Sequence, residues 1–217
     1  MCISLVPIFN HLEQHEMIEI VKTARMVTFP RGSIIYRAGE KSDSLYIVHE
    51  GKVKIYRLSE SGKEQIIRFL QPGDFTGEHA LFSQSVHDEY AEATADSNLC
   101  VVNQSDLHEF LLTYPSISLK VLAEFSKRIR HIEEQATRFA TEAVETRIAH
   151  YLASLSKQTN SQSIALPMTR KELASYLGTS PETISRKLAE FEDSGWIRQS
   201  GPRNMKIIDL DALLRIR

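Results

Sequence analysis

Nine glycines punctuate this 217-residue chain, and their placement divides it in two. Gly32, Gly39, Gly51, Gly62, Gly73 and Gly77 fall within 46 residues, and the next glycine is Gly178. Between the early glycines lie VTF, SIIY, SLYIVH, KVKIYRL and EQIIRFL, short runs rich in Val, Ile and Tyr. Short β-formers separated by turn residues predict a compact antiparallel sheet or barrel. AEATA and LCVVN, after the ALF segment, supply closing strands. Before them, residues 9–25 have helical periodicity.

The glycine-free stretch reads as helix. From Ser116 to about Phe139, Ile117, Val121, Phe125, Ile129, Ile132, Ala136 and Phe139 recur every three or four residues. A helix of about 24 residues spans roughly 36 Å, longer than one small domain requires. It either packs on its own barrel or forms the seam of a two-stranded coil. A single stripe between charged flanks favours the dimer seam, with Ile117, Val121, Phe125, Ile129, Ile132 and Ala136 facing the partner. Residues 144–157 form a second amphipathic helix, 158–166 a polar loop, and 195–211 a β-hairpin around Gly201-Pro202.

Met168 to Ile197 reads as two short helices joined by a tight turn. Thr169 and Glu172 have capping-box spacing, Gly178 ends the first helix, and Ser180-Pro181 starts the second. Leu173, Tyr176 and Leu177 face the core, as do Ile184, Leu188 and Phe191. The other face of the second helix carries Glu182, Thr183, Ser185, Arg186 and Lys187. An ordinary helical hairpin with a solvated face is the plain alternative. An acid and an arginine one turn apart instead suit base edges, because carboxylate accepts from cytosine N4 and arginine grips guanine O6 and N7. A bent helix pair with such a face is the helix-turn-helix, whose second helix enters the DNA major groove. Thr169, Arg170 and Ser180 join Glu182, Thr183, Ser185, Arg186 and Lys187 as candidate DNA contacts.

Charge agrees once divided. The whole chain carries −2. Residues 1–142 hold 15 Lys+Arg and 20 Asp+Glu, whereas 143–217 hold 11 and 8, so the cations gather with the helix-turn-helix. No run approaches the roughly 20 apolar residues of a membrane span. The start, MCISLVPIFNHLEQ, lacks the basic region of a signal peptide, so a cytoplasmic protein with no membrane partner is expected. Two cysteines, Cys2 and Cys100, are too few for a disulfide framework or a tetrahedral metal site, and no metal is expected. No G-x-S-x-G, P-loop or HExxH occurs, so the chain does not read as an enzyme.

GEKSDSLYIVHEGKVKIY, QPGDFTGEHALF, the long helix, ETRIAHYL and TRKELASYLGTSPETISR together resemble the Crp/Fnr family of bacterial transcription regulators, over nearly the whole chain. The resemblance implies an α+β fold. A β-roll of the jelly-roll-like, cyclic-nucleotide-binding type would occupy 1–114, a dimerisation helix 115–142, and a winged helix-turn-helix 143–217. It implies a homodimer on double-stranded DNA, with RNA polymerase as a further partner.

In the cyclic-AMP receptor branch, an arginine followed by a serine grips the cyclic phosphate. Asp88-Glu89 stands there in this chain, and Ile132-Glu133 stands where a Thr-Ser pair would meet the adenine. Carboxylates facing a phosphate repel it, so cyclic AMP control is not expected. Gly77, Glu78 and His79 are either turn residues or part of an effector pocket. In the Fnr branch the second helix carries Glu, then Ser and Arg three and four residues on, matched by Glu182, Ser185 and Arg186. This implies an inverted repeat resembling TTGAT-N4-ATCAA. Pro181 departs from that pattern and leaves the outer positions open.

Oxygen-sensing Fnr proteins hold an iron–sulfur cluster on four cysteines, which one such chain cannot supply. Cys2 and Cys100 resemble instead the dithiol–disulfide switch of some Fnr-like proteins; the alternative is two unrelated thiols. Eight histidines, among them His49, His79, His87 and His131, raise a haem ligand as a question, but scattered histidines are ordinary and no cofactor is expected. The rival class of function is a ligand- or redox-sensing module whose C-terminal domain binds protein rather than DNA.

Overall fold

The computed structural model of the protein describes residues 6, 9–10, 12–78 and 85–216. It contains two compact units, Met1–Ile129 and Arg130–Arg217.

The first unit opens with helix α1 (Gln14–Thr23) and strands β1 (Arg25–Phe29), β2 (Ile34–Tyr36), β3 (Lys41–Ser42), β4 (Ser44–Glu50), β5 (Val53–Leu58) and β6 (Glu64–Leu70). β7 (Phe75–Thr76), β8 (Ser85–Val86), β9 (Tyr90–Ala93) and β10 (Ser97–Asn103) complete its strands. They pair antiparallel in the orders β1-β10-β4-β7 and β2-β9-β5-β6, with β3 on β8. Side chains alternate along β4, because successive residues of a strand point to opposite faces. Leu45 and Ile47 join Cys100 and Val102 of β10 in a core that helices cover, whereas Val48 and Leu99 join Val53, Ile55, Leu70 and Ala91 of the other sheet. The central strands β4 and β10 are thus buried on both faces, while the edge strand β1 stays exposed.

Gly77 follows β7 with φ +80°, and a Cβ there would stand 2.3 Å from the Ser44 carbonyl oxygen. That close approach explains this glycine as packing between two β-roll segments.

Two helices follow, α2 (Gln104–Thr113) and α3 (Pro115–Thr141). Sequence periodicity located α3 within two residues but left α2 unmarked. It also misassigned the start of the long stripe. Ile117 is 0% and Val121 2% exposed within a single chain, packed among Leu45, Ile47, Phe75, Leu107 and Phe110, with Phe125 half-buried beside them. Residues buried in the β-roll core are not available to a partner, which corrects Ile117 and Val121 as seam residues. The exposed apolar residues of α3 begin at Leu119 and Leu122 and continue through Ile129 and Ile132.

The second unit holds the C-terminal turns of α3, then α4 (Val144–Thr159), β11 (Ser163–Ala165), α5 (Arg170–Leu177), α6 (Pro181–Asp193), β12 (Ile197–Gln199), β13 (Asn204–Ile207) and α7 (Leu210–Leu214). β11, placed in the polar loop 158–166 by the sequence reading, is a third strand of the wing in the order β11-β13-β12. α7 also lay unread at the end of the predicted hairpin. The boundary between the two compact units falls inside α3, at Ile129/Arg130.

If Ile117 belongs to the β-roll core, Ile117→Ala lowers the unfolding free energy by about 2–5 kcal/mol. Chemical denaturation at two protein concentrations checks this, and the loss should be the same at both. A seam residue would give a concentration-dependent loss.

Candidate nucleic-acid interface

Local caps build the bend. The Thr169 hydroxyl accepts from the Glu172 N–H at 3.2 Å, and the Glu172 carboxylate accepts from the Thr169 N–H at 2.7 Å. α5 stops at Gly178, φ +66°, where the Thr179 N–H returns to the Ala174 carbonyl at 2.9 Å. Left-handed backbone is cheapest for glycine. Space matters there as well, since a Cβ on Gly178 would lie 3.1 Å from the Phe139 ring. The end of α3 therefore packs against the turn. Arg147 stacks on the same Phe139 ring, 4.8 Å from its centroid.

α6 begins at Ser180, whose hydroxyl accepts from the Thr183 N–H at 3.2 Å and lies 3.1 Å from the Thr183 hydroxyl. Pro181 takes the first position, where a missing N–H leaves nothing unpaired. Ile184, Leu188 and Phe191 are buried and fix which face of α6 looks outward. On that outer face Glu182 is exposed. Its own backbone N–H, then the Ser180 hydroxyl, hold its carboxyl below the usual carboxylate range. It is thus an ionised, acceptor-only group at neutral pH. One turn on, the Arg186 side chain is 67% exposed, with Glu190 3.8 Å from its Nε.

Two predicted contacts are engaged elsewhere. Lys187 donates to Glu145 of α4 at 2.5 Å and to Glu190 at 2.7 Å, leaving its side chain 19% exposed. These two bonds raise its pKa above the ordinary lysine value. Arg170 donates from Nη2 to Gln199 at 2.6 Å, from Nε to the Pro202 carbonyl at 3.3 Å, and reaches the Ser185 hydroxyl at 3.5 Å. Gln199 and its other partner Glu192 were missed by the sequence reading. No local motif marks a wing residue that pairs with two helices.

In the β-roll, Glu78 accepts from Arg68 of β6 at 2.9 Å and from Arg128 of α3 at 2.8 Å. Burial works to raise its carboxyl, but the two guanidiniums outweigh that and hold it below the usual range. Arg128 also donates to the Phe75 carbonyl at 3.0 Å and stacks on the Phe75 ring at 4.0 Å. Beside them the Tyr36 hydroxyl is 2.6 Å from that of Thr76, and the Tyr36 ring stacks on His87 at 3.7 Å. Asp88 is exposed, and Glu89 lies 3.9 Å from Arg57. Cys100 is buried in the helix-covered core. Cys2 and His79 lie outside the described residues. Among the described residues no helix is long and apolar enough to cross a membrane.

Comparison with known proteins decides the family. Residues 26–114 match the cyclic nucleotide-binding domain, and residues 146–216 the Crp-like helix-turn-helix domain. The probable transcriptional regulator flp of Lacticaseibacillus casei is 30% identical over 97% of this chain and 95% of its own length. The chain belongs to the Crp/Fnr family of transcription regulators. Another relative of this Crp/Fnr protein is the CRP-like cAMP-activated global transcriptional regulator of Mycobacterium tuberculosis, 29% identical over 96% of this chain and 95% of that one. The structure of FixK2 from Bradyrhizobium japonicum is similar with TM-score 0.77 and 28% identity, covering 88% of this chain and 95% of that chain. The family's members are regulators of transcription, not enzymes.

The Lys187 ion pairs bear directly on salt dependence. A lysine that neutralises a phosphate steepens the fall of log K with log salt by about 0.9. Lys187→Gln should leave that slope unchanged in fluorescence anisotropy across a salt series. A flatter slope would return Lys187 to the DNA backbone.

Proposed function

We propose that this Crp/Fnr regulator binds as a homodimer to an inverted repeat resembling TTGAT-N4-ATCAA, through the exposed Glu182–Arg186 face of α6. The observation that carries this is the pairing of an ionised, exposed carboxylate with an exposed guanidinium one turn along a helix whose other face is core. Arg186 suits guanine O6 and N7, Glu182 the N4 amine of the paired cytosine, and Ser185 an adjoining base edge. Dimerisation falls to the outer stripe of α3. Leu122, Phe125, Ile129, Ile132, Ala136 and Phe139 repeat at intervals of three and four, and Leu122, Ile129 and Ile132 are 60, 57 and 59% exposed. A strict alternation of this kind suits a two-stranded coil. RNA polymerase is the partner downstream of DNA binding.

Two substitutions test base reading. Arg186→Ala should weaken binding to the specific duplex by about 1–3 kcal/mol while sparing unrelated DNA. Glu182→Ala should relax discrimination at the same base pair. Anisotropy titrations against single-base variants of the half-site measure both, and equal losses on specific and unrelated duplexes would refute the assignment. Ile129→Glu should give a monomer by sedimentation that has lost tight binding to the paired half-sites.

The signal in this reading is thiol redox rather than cyclic AMP. Asp88 and Glu89 carry the wrong charge for a cyclic phosphate, and Glu78 is already paired with two arginines. Oxidation of Cys2 and Cys100 to one intrachain disulfide gives two electrons and two protons to an oxidant. Such a bond would tie the N-terminal arm to β10, in the core that also receives Ile117 and Val121. DNA affinity of the wild type should change on oxidation, and that of Cys100→Ser should not. A non-reducing peptide map must then contain a Cys2–Cys100 pair. Absence of that peptide together with oxidant-independent affinity would overturn the redox reading.

A further inference from the structure

We propose that Arg170 is the positioning residue that seats the wing against the recognition helix and presents Ser185 to DNA as a hydrogen-bond donor. The proposal deepens the DNA-binding reading above and rests on it.

The network has one consistent orientation. Guanidinium can only donate and an ionised carboxylate can only accept, so a glutamine between them has its amide direction fixed. Gln199 of β12 donates from Nε2 to Glu192 at 2.8 Å and accepts at Oε1 from Arg170 at 2.6 Å. Its backbone N–H also donates to Glu192, at 2.7 Å. These donors, backbone first, hold the Glu192 carboxyl below the usual range. Glu192 lies in the last turn of α6, and Arg170 is the first residue of α5. The same guanidinium reaches the Pro202 carbonyl in the turn between β12 and β13. One side chain thereby joins the start of α5, the first wing strand and the wing turn, while Gln199 carries the link to the end of α6.

The wing itself is small. β12 and β13 contain three and four residues. Short strands of this kind depend on what they pack against. Exposed Arg203 sits in the turn, so the position of that cation relative to α6 follows from the clamp.

The contact with Ser185 carries the specificity. Arg170 Nη1 lies 3.5 Å from the Ser185 oxygen and can only donate to it. A positive guanidinium disfavours an O–H aimed at it, which leaves the single O–H of Ser185 available to a base edge. One Ser185 lone pair is then occupied and the nearby positive charge disfavours a second donor, so acceptor edges such as thymine O4 or a purine N7 are preferred over the amines of cytosine and adenine.

The competing role for Arg170 is direct phosphate contact, and Gln199 separates the two. The experiment uses full-length wild type, Arg170→Ala, Arg170→Lys and Gln199→Ala. Native-state hydrogen exchange on the DNA-free proteins is the first arm. All three variants should exchange the amides of 204–207 faster than wild type, lysine included, because an ammonium cannot span the three acceptors. Unchanged exchange would overturn the clamp. The second arm is affinity for the specific and an unrelated duplex across a salt series. The clamp predicts that Arg170→Ala and Gln199→Ala each lower the specific-to-unrelated ratio about tenfold, with the salt slope unchanged. A flattening of about 0.9 in Arg170→Ala, with Gln199→Ala silent, would overturn it in favour of phosphate contact. The third arm replaces the acceptor edge facing Ser185 by an amine edge. Wild type should lose affinity there and Ser185→Ala should not; a wild type indifferent to the change would overturn the donor assignment. If wild type itself showed no preference among duplexes, the DNA-binding reading would fail, and the exchange arm would still decide the clamp.

Discussion

Burial of the central strands β4 and β10 on both faces is the constraint from which the first unit follows. Leu45 and Ile47 point one way along β4 and Val48 the other, so a single neighbouring sheet cannot cover them all. The second sheet takes Val48 and Leu99. Helices must take the rest, which is why α1, α2 and the first turns of α3 lie where they do. Ile117 and Val121 contribute the α3 share, and their burial rotates the helix so that Leu122, Ile129 and Ile132 remain outside. The free stripe is thus a consequence of which α3 face the β-roll consumes.

Charge is divided within the second unit with similar economy. α6 carries Arg186 and Lys187 side by side, yet 100° of helical rotation gives them different surroundings. Lys187 falls toward Glu145 and is held inside the domain, while Arg186 projects from it. Glu190 stands near both, so the outward arginine has an acidic neighbour that limits its reach in the free protein. Phe139 against Gly178 brings the last turns of α3 into contact with the helix-turn-helix bend itself.

What could be read in the sequence was what is decided locally. The Thr169–Glu172 box, the Gly178 stop and the Ser180-Pro181 start all involve residues within four positions of one another, and all are present. Strands bounded by glycine were legible for the same reason, whereas two-residue strands such as β7 left too short a pattern. α2 carries no cap or glycine that marks it off from β10. Periodicity revealed that α3 has an apolar stripe but not what covers each part, because Ile117 meets residues some 70 positions away in β4. Lys187 is bound by a carboxylate 42 positions earlier, and Arg170 by a glutamine 29 positions later. Helical spacing placed both among the DNA contacts because a local pattern contains no distant partners.

Those internal partners alter how such a protein searches a genome. A regulator meets on the order of a million or more irrelevant sites for each correct one, and its hold on them is set by unneutralised cations. Lys187 adds to the domain's count of cations while Glu145 and Glu190 neutralise it within the protein. The domain is therefore less adhesive toward bulk DNA than its composition suggests. Fewer molecules are then sequestered along the chromosome, and a modest preference for the correct sequence is enough to determine where the protein resides.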